Sequence, residues 1–437
     1  MTAGETAGET PETPGTPGGA AGGTAGVTEA DVCVVGAGPA GLVLALLLVA
    51  SGRSVAVLEK SGSHGREFRG EILQPGALSL LDRLGVLAGA RARGAHEHSR
   101  FQLVERDRAV LDIDYGTLPG PHNHLLSVPQ SHVLAELAER CAKYDGFRLL
   151  DGRRVNGLLH EDGGRVAGVT ADGPDGPVAV RARVVVGADG RFSRVRRLAG
   201  IDGGRSDVFH QDVLWFKLDG GIRSGVVPGA DPRAVQVYRA GGRPVLVYDS
   251  WPDRVQIGWT LPHHGYREVI ARGLPALREQ LALAVPPFAD RIHEQLVSAN
   301  DLSLLDVFSG RARRWVDDGL VLIGDAAHTH SPIGAQGINL AIQDAVVLHP
   351  ILLDALDRGD TGRAALAVFE ERRAPDIAAV TRLQTVQSGM MLSTGFVATR
   401  MRPRMASLLR RTPLFHAVLR RIAYGNPEIR VAEERFR

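Results

Sequence analysis

Two cysteines, Cys33 and Cys141, are all that the 437 residues contain, and neither belongs to a Cys-x-x-Cys pair. That excludes a disulfide-stapled scaffold and the common zinc spacings, and the apolar run around each residue suits a buried free thiol. Lysine is almost as scarce, with only Lys60, Lys143 and Lys217. Arginine supplies the other positive charges and the formal net charge is only +2, so no general attraction to nucleic acid or to an anionic membrane is expected. The N-terminus has no basic segment followed by an apolar core, which argues against a secretory signal. The apolar run Leu42–Ala50 is far too short to span a bilayer. No solenoid-type repeat is visible. With 44% hydrophobic and 23% charged residues, the chain reads as a cytoplasmic protein of two packed domains, monomeric or homodimeric.

Residues 1–29 are rich in Gly, Pro and Thr and cannot bury enough apolar surface to offset the entropy of ordering. A disordered tail is expected there, with order starting near Ala30. Asp31–Val35 then reads as a buried strand, Ala40–Ala50 as a helix and Ser54–Leu58 as a second strand, which makes a βαβ unit. Ala77–Leu84 and Ser131–Tyr144 read as amphipathic helices, and Val184–Val186 and Leu320–Ile323 as further buried strands. Between these the texture changes. Val213–Leu218, Val235–Tyr238, Val245–Trp251 and Val255–Thr260 mix β-branched, aromatic and alternating residues, as antiparallel strands do. Helical texture returns around Leu277–Leu296 and again from Gly337 to about Met391. The expected fold class is α/β (α+β overall), with a Rossmann-type nucleotide-binding domain in two parts, 30–204 and 311–390. An antiparallel-sheet substrate domain is inserted over 205–310, and C-terminal helices occupy 391–437. That last region carries Arg400, Arg402, Arg404, Arg410, Arg411, Arg420 and Arg421 among apolar residues, and its apolar face is expected to pack on the protein.

The βαβ unit contains Gly36-Ala37-Gly38-Pro39-Ala40-Gly41 and ends in Glu59-Lys60. Gly36 permits the tight strand-to-helix turn, Gly38 lets the backbone approach a pyrophosphate, and Gly41 lets helix and strand pack closely. The helix start at Pro39 and Ala40 offers unpaired N–H groups and a positive dipole end to phosphate oxygens. Glu59, with Lys60 after it, stands where an acid accepts hydrogen bonds from ribose hydroxyls. This unit says dinucleotide; it does not separate FAD from NAD.

A second motif does. Gly319–Ile323 leads into Gly324-Asp325-Ala326-Ala327-His328, followed by Ser331-Pro332-Ile333-Gly334-Ala335-Gln336-Gly337-Ile338-Asn339. A strand ends at Gly324, which allows close approach, and Asp325 can hold a polyol hydroxyl. The small-residue loop then opens a helix near Gly337, whose N–H groups can face the pyrimidine edge of a flavin. A ribityl chain exists in FAD and not in NAD, so the cofactor is read as FAD.

These two motifs, with Val185-Val186-Gly187-Ala188-Asp189-Gly190-Arg191 between them, closely resemble the class A flavoprotein monooxygenases, the p-hydroxybenzoate hydroxylase-like family. The resemblance covers most of residues 30–380. It implies that Asp189 serves FAD and NAD(P)H handling, that Arg69 contacts the flavin side of the cofactor, and that Gln130 lies near the FAD phosphates and ribose. It further implies an NAD(P)H- and O₂-dependent monooxygenase that hydroxylates an aromatic or polycyclic small molecule through a flavin C4a-hydroperoxide, in specialised metabolism. Glu67 stands where the family has a second arginine, with Arg66 next to it. No second complete glycine-loop unit is present, so NADPH or NADH is expected to visit transiently.

The family chemistry belongs to the cofactor, and the protein binds, orients and excludes water. His328, close to Asp325, and Pro332, through its backbone carbonyl, are the catalytic candidates. Trp215, Tyr238, Tyr248 and Trp259 are candidate substrate contacts on the inserted sheet, and His263 is a further candidate base. Gln256–Pro262 does not match the WxWxIP motif of flavin halogenases. His96, His98, His122 and His124 lack ligand spacing and read as loop histidines, so no metal is expected. Epoxidation, Baeyer–Villiger oxygenation and isoprenoid reduction are the alternatives on the same fold. A non-redox FAD-binding cyclase or scaffold is the alternative from another class.

Overall fold

A computed structural model describes residues 27–62, 71–105, 108–206, 211–222, 231, 233–240, 243–392 and 412–437. The first strand begins at Val27 rather than near Ala30, because Val27–Ala30 continue a parallel ladder with Ala179–Ala182. The strands Leu320–Leu322, Gly176–Gly187, Val27–Val35, Val55–Leu58 and Phe147–Leu150 lie side by side and run parallel. Their near-continuous Val, Ile, Leu and Ala runs are what a sheet covered on both faces requires. The helix Pro39–Ala50 buries every residue after Pro39, so it has no polar face. It is held between the helices Gly337–Arg358 and Gln130–Cys141. Both thiols are free and buried as expected, Cys33 in the first strand and Cys141 at the end of its helix.

Gly337–Arg358 and the loop before it form the one helix, among the described residues, long and apolar enough to cross a membrane. Its apolar window is 78% buried inside the protein, which makes it a core helix. Arg363–Leu392 follows it. Of the basic C-terminal region, the helix Pro413–Tyr424 is described, and it turns Leu419 and Ala423 into the protein. Arg400, Arg402, Arg404, Arg410 and Arg411 lie outside the described residues.

The second sheet has seven strands in the order Ser303–Leu305, Gln211–Asp219, Arg254–Pro262, Arg243–Ser250, Ala234–Ala240, Arg100–Glu105 and Arg108–Asp114. Two of these come from far before residue 205, and the pairing of Arg100–Glu105 with Ala234–Ala240 is parallel. A three-stranded sheet of Ile72–Leu73, Leu125–Ser127 and His96–His98 joins the two large layers. His96 and His98 are therefore strand residues, not loop residues. His98 is buried and bonded to Ser127 Oγ at 3.0 Å.

The two faces of the seven-stranded sheet have different neighbours. Leu214, Phe216, Val245, Val247, Ile257 and Trp259 pack against the helices Leu274–Ala284 and Ala289–Gln295. Val213, Trp215, Val235 and Tyr248 pack with Ile72, Leu125, Ile333, Ala335 and the C-terminal helix. The second face looks toward the loop that precedes Gly337.

Candidate active site

The glycine loop closes one end of a cleft of about 1100 Å³, open mouth included, lined by Gly36, Gly38, Glu59, Lys60 and Asp189. The three loop glycines have separate physical reasons. Gly36 has φ +107°, and a Cβ there would meet Ala188 O at 2.5 Å. A Cβ on Gly41 would stand 2.0 Å from Gly36 O, so the helix can lie this close to the turn only without a side chain. At Gly38 a Cβ would meet nothing within 4 Å, although the residue lines the cleft. Space left open at a helix N-terminus is the fit expected for a pyrophosphate. Glu59 is buried at the end of its strand, where its carboxylate accepts from Ala37 N at 2.9 Å and from Ser61 N at 3.1 Å.

Asp189 does a different local job. Its carboxylate accepts from the Ser193 hydroxyl, from Arg194 N at 2.6 Å and from Val195 N at 3.1 Å, fixing the start of the short helix Arg194–Leu198. Arg196 extends from that helix to Ala326 O at 2.7 Å and so joins this segment to the Gly324–Asp325 turn. Asp325 keeps 31% of its side chain exposed, with Arg191 NH2 3.7 Å from Oδ2. That is a carboxylate able to take a polyol hydroxyl. Gln130 is the first residue of its helix. Arg69 lies outside the described residues, as do Arg66 and Glu67.

The loop before Gly337 is latched from several sides. Gln74 donates from its backbone N to Asn339 Oδ1 and from Nε2 to Gly334 O, both at 3.0 Å. Gln384 Nε2 holds Ser331 O at 3.0 Å and Ile333 O at 2.8 Å. Pro332 O accepts from Ala335 N at 3.0 Å, closing the turn that carries its carbonyl. Gly334 and Ala335 have φ values of +76° and +51°. The second is unusual for a residue with a side chain and costs about 1 kcal/mol or more, which the latches offset. A Cβ at Gly337 would meet nothing within 4 Å, so the helix start there is also open.

Behind this loop lies an ionic cluster that the sequence patterns did not reveal. His328 Nε2 lies 2.6 Å from Asp344 Oδ2 and its Nδ1 lies 3.1 Å from His330 Nε2, so both ring nitrogens are engaged. Asp344 also accepts from Gly324 N and from Arg373 Nε, each at 2.8 Å. Arg373 NH1 reaches Asp376 at 3.0 Å, and Asp376 binds Arg421 of the C-terminal helix. Burial alone would raise the Asp344 carboxyl, but His328 and Arg373 outweigh it and hold the group down at about 2. An acid seven residues past Gly337, about two turns along the same helical face, was the available sequence signal.

Burial pushes His330 down to about 3, with His328 adding to the shift. Burial likewise takes His98 and His349 down to about 4. In the unfolded chain these rings take up protons below about pH 6.5, whereas the folded protein refuses them. The stabilisation is complete above that pH and is lost as pH falls toward 4 and 3, because the unfolded state then binds more protons. Each ring contributes up to about 1.4 kcal/mol per pH unit in that window. The melting temperature is expected to fall steadily between pH 6.5 and 4 in a calorimetric pH series; a flat profile would refute dry, neutral rings.

The four aromatic candidates divide between the two sheet faces. Trp215 and Tyr248 stand on the face toward the 333–335 loop, while Tyr238 and Trp259 belong to the face covered by helices. Tyr238 is further occupied by its hydroxyl bond to Gln236 at 2.6 Å. His263 Nδ1 is bonded to Asp212 Oδ1 at 2.8 Å, at the far corner of the sheet. Among the described residues, Asp212, His263 and His264 make the one cluster whose geometry could hold a metal. Asp212 already accepts from His263, His264 N and Val307 N, which suits a turn brace.

Residues 29–384 match the family model described as FAD binding domain. The chain belongs to that family. It is 55% identical over 408 residues to 6-methylpretetramide 4-monooxygenase of Streptomyces rimosus, covering 93% of this chain and 95% of the relative. This chain is an FAD-dependent monooxygenase. Among solved structures it resembles the OxyS anhydrotetracycline hydroxylase of Streptomyces rimosus, with a TM-score of 0.72 at 25% identity over 92% of this chain and 77% of that one. A Diels–Alderase, PyrE3 of pyrroindomycin biosynthesis, shares the fold with a TM-score of 0.69 at 23% identity, covering 92% of this chain and 81% of that one. Fold alone therefore does not choose between oxygenation and cyclisation. The 55% relative decides for the monooxygenase, which takes electrons from transiently bound NAD(P)H and hydroxylates an aromatic small molecule in specialised metabolism.

Proposed function

We propose that the monooxygenase hydroxylates 6-methylpretetramide or an aromatic polyketide of the same class, as a cytoplasmic enzyme. The observation that carries this reading is 55% identity running through 93% of this chain and 95% of a relative named for that reaction. The glycine loop and the helix start at Pro39 would hold the FAD pyrophosphate, Glu59 the ribose, Asp325 the ribityl chain, and the Gly334–Asn339 loop the flavin edge. Bound FAD supplies the redox and oxygen chemistry. The chain supplies position and dryness: Gln74, Gln384 and Asn339 fix the loop, and Val213, Trp215 and Tyr248 face it with a buried wall. His328, with both nitrogens engaged and 2% exposed, acts as a brace for the Gly324–Asp325 turn and not as a proton carrier to substrate.

The direct test is to incubate the FAD-loaded protein with NADPH or NADH, 6-methylpretetramide and ¹⁸O₂. A product heavier by one ¹⁸O, with substrate-stimulated NAD(P)H oxidation, supports the reading. Absence of labelled product from this and related aromatic polyketides overturns it. The two tryptophans give a second expectation. Trp215→Ala is expected to raise KM by about tenfold, through loss of an aromatic wall of about 1–2 kcal/mol. Trp259→Ala, under the helices, is expected to leave KM alone and to lower stability by about 3–5 kcal/mol. Steady-state kinetics beside denaturant unfolding separates the two, and a KM effect from Trp259→Ala would place the substrate on the wrong face.

A further inference from the structure

One row of the sheet face toward the 333–335 loop is polar and buried, between an apolar row and the row of Asp219, Arg254 and Ser250, whose ion pair is more exposed. Lys217 pairs with Gln256, and Gln256 pairs with Tyr248, so these side chains stand together across adjacent strands. The next row is Trp215, Gly258 and Leu246. Gly258 leaves room for the indole: a Cβ there would meet the Trp215 ring at 2.6 Å. Glu71 reaches the polar row from the strand segment that leads to Gln74 and its bonds to the loop. Lys217 Nζ donates to Glu71 Oε1 at 2.6 Å, and Ser250 Oγ donates to Glu71 Oε2 at 2.7 Å. Lys217 and Glu71 keep only 11% and 4% of their side chains exposed. Gln256 is 2% exposed, and its Oε1 has no hydrogen-bond partner.

Such a row is expensive. A buried ion pair is commonly no more stabilising than apolar side chains of the same volume, and a buried amide oxygen without a donor is a net loss. These groups sit beside an aromatic wall and face the loop proposed to carry the flavin, so their chemistry specifies a ligand. An ammonium complements an oxyanion, the amide oxygen complements an O–H or N–H donor, and the indole complements a flat ring. Polycyclic phenols and enols that carry a second donor next to the acidic oxygen combine all three. Among the described residues, the other titratable groups around the row are Tyr248, His98 at a ring distance of 6.2 Å from it, and in the adjacent row the more exposed ion pair of Arg254 with Asp219. Burial, reinforced by Glu71, keeps the Tyr248 phenol protonated, and burial keeps His98 neutral. The buried charge there is carried by Lys217 and Glu71, while Arg254 and Asp219 neutralise each other nearer solvent.

We propose that Lys217, Gln256 and the Trp215 wall form the recognition site for an ionised phenolic or enolic oxygen of the aromatic substrate, with Glu71 positioning the Lys217 ammonium. The site rests on the proposed aromatic hydroxylation and names the substrate feature it reads. The ligand's proton leaves to solvent water on binding, and the oxyanion so held makes the ring more electron-rich for oxygen transfer.

The test uses the oxidised FAD-loaded protein without NAD(P)H, so no turnover occurs, and reads the ligand's absorption during titration. The probes are 6-methylpretetramide and a simpler peri-hydroxylated aromatic, 1,8-dihydroxyanthraquinone. Wild type is expected to bind both with the red-shifted band of the ionised form. Lys217→Met is expected to weaken binding by about 30-fold and to leave the bound ligand neutral, while Lys217→Arg stays within about fivefold. Gln256→Leu is expected to weaken binding by about tenfold with the ligand still ionised. The FAD dissociation constant is expected to be unchanged in every variant. Because Lys217→Met strands Glu71, the double variant Lys217→Met/Glu71→Gln repeats the measurement with a neutral pair, and the same loss is expected. Ionised ligand bound with wild-type affinity by either Met variant overturns the proposal, as does failure of wild type to bind either probe. If the anthraquinone behaves as described and 6-methylpretetramide does not bind, the substrate reading fails and the site stands.

Discussion

Gly38→Ala is expected to leave the folded protein within about 1 kcal/mol of wild type while weakening FAD by about 10- to 100-fold. The added Cβ meets no protein atom within 4 Å, and Gly38 has ordinary extended backbone with φ −81° and ψ −178°, which alanine adopts without strain. The small stability loss is that of a poorer helix N-cap. The large loss belongs to the ligand, because the methyl group enters the cleft where the pyrophosphate is proposed to sit. Gly41→Ala is the contrasting control: its Cβ would lie 2.0 Å from Gly36 O, and helix and turn must separate, at about 3 kcal/mol. Flavin fluorescence titration combined with urea unfolding of the apoprotein distinguishes them. Wild-type FAD affinity in Gly38→Ala would remove the cleft from consideration as the pyrophosphate site.

Arg373→Met is the second large effect. Arg373 is 1% exposed, and it neutralises Asp344 and Asp376, which are held in the Gly337–Arg358 and Arg363–Leu392 helices. Removing one partner of a buried charge cluster strands the others, at about 3–5 kcal/mol. Asp344 also holds Gly324 N and His328, so the damage reaches the turn that presents Asp325. The expected result is a folded protein with a depressed unfolding midpoint that loses FAD on gel filtration. Asp344→Asn should reproduce it, since the amide cannot balance the guanidinium. Unfolding within about 1 kcal/mol of wild type, with flavin retained, would show that the cluster braces nothing.

Motifs were legible wherever function depends on backbone shape. Gly36 and Gly41 could be assigned separate reasons from spacing alone, because a turn and a close helix contact each demand a missing Cβ, while the space beside Gly38 is open for the proposed pyrophosphate. Side-chain partners were not legible. His328 looked like a site residue by its distance from Asp325 along the chain, yet it is bonded to an acid on one helix and to His330, two residues further on. Asp189 was read through family resemblance, while its observed bonds are those of a helix-capping acid.

The sequence by itself determined the βαβ unit and the antiparallel character of the inserted strands, because local periodicity and glycine spacing encode them, and FAD as the cofactor, because Asp325 and the loop after it form a second local motif. Only the tertiary structure decided which strands share the seven-stranded sheet, since Arg100–Glu105 joins it from more than a hundred residues before its parallel partner Ala234–Ala240. It also decided which tryptophan meets the loop. Trp215 and Trp259 have equal claims by composition, but sheet register places them on opposite faces, one under helices and one toward the 333–335 loop. A one-residue change of register would have exchanged them, because side chains alternate along a strand, and register is set by contacts between distant segments.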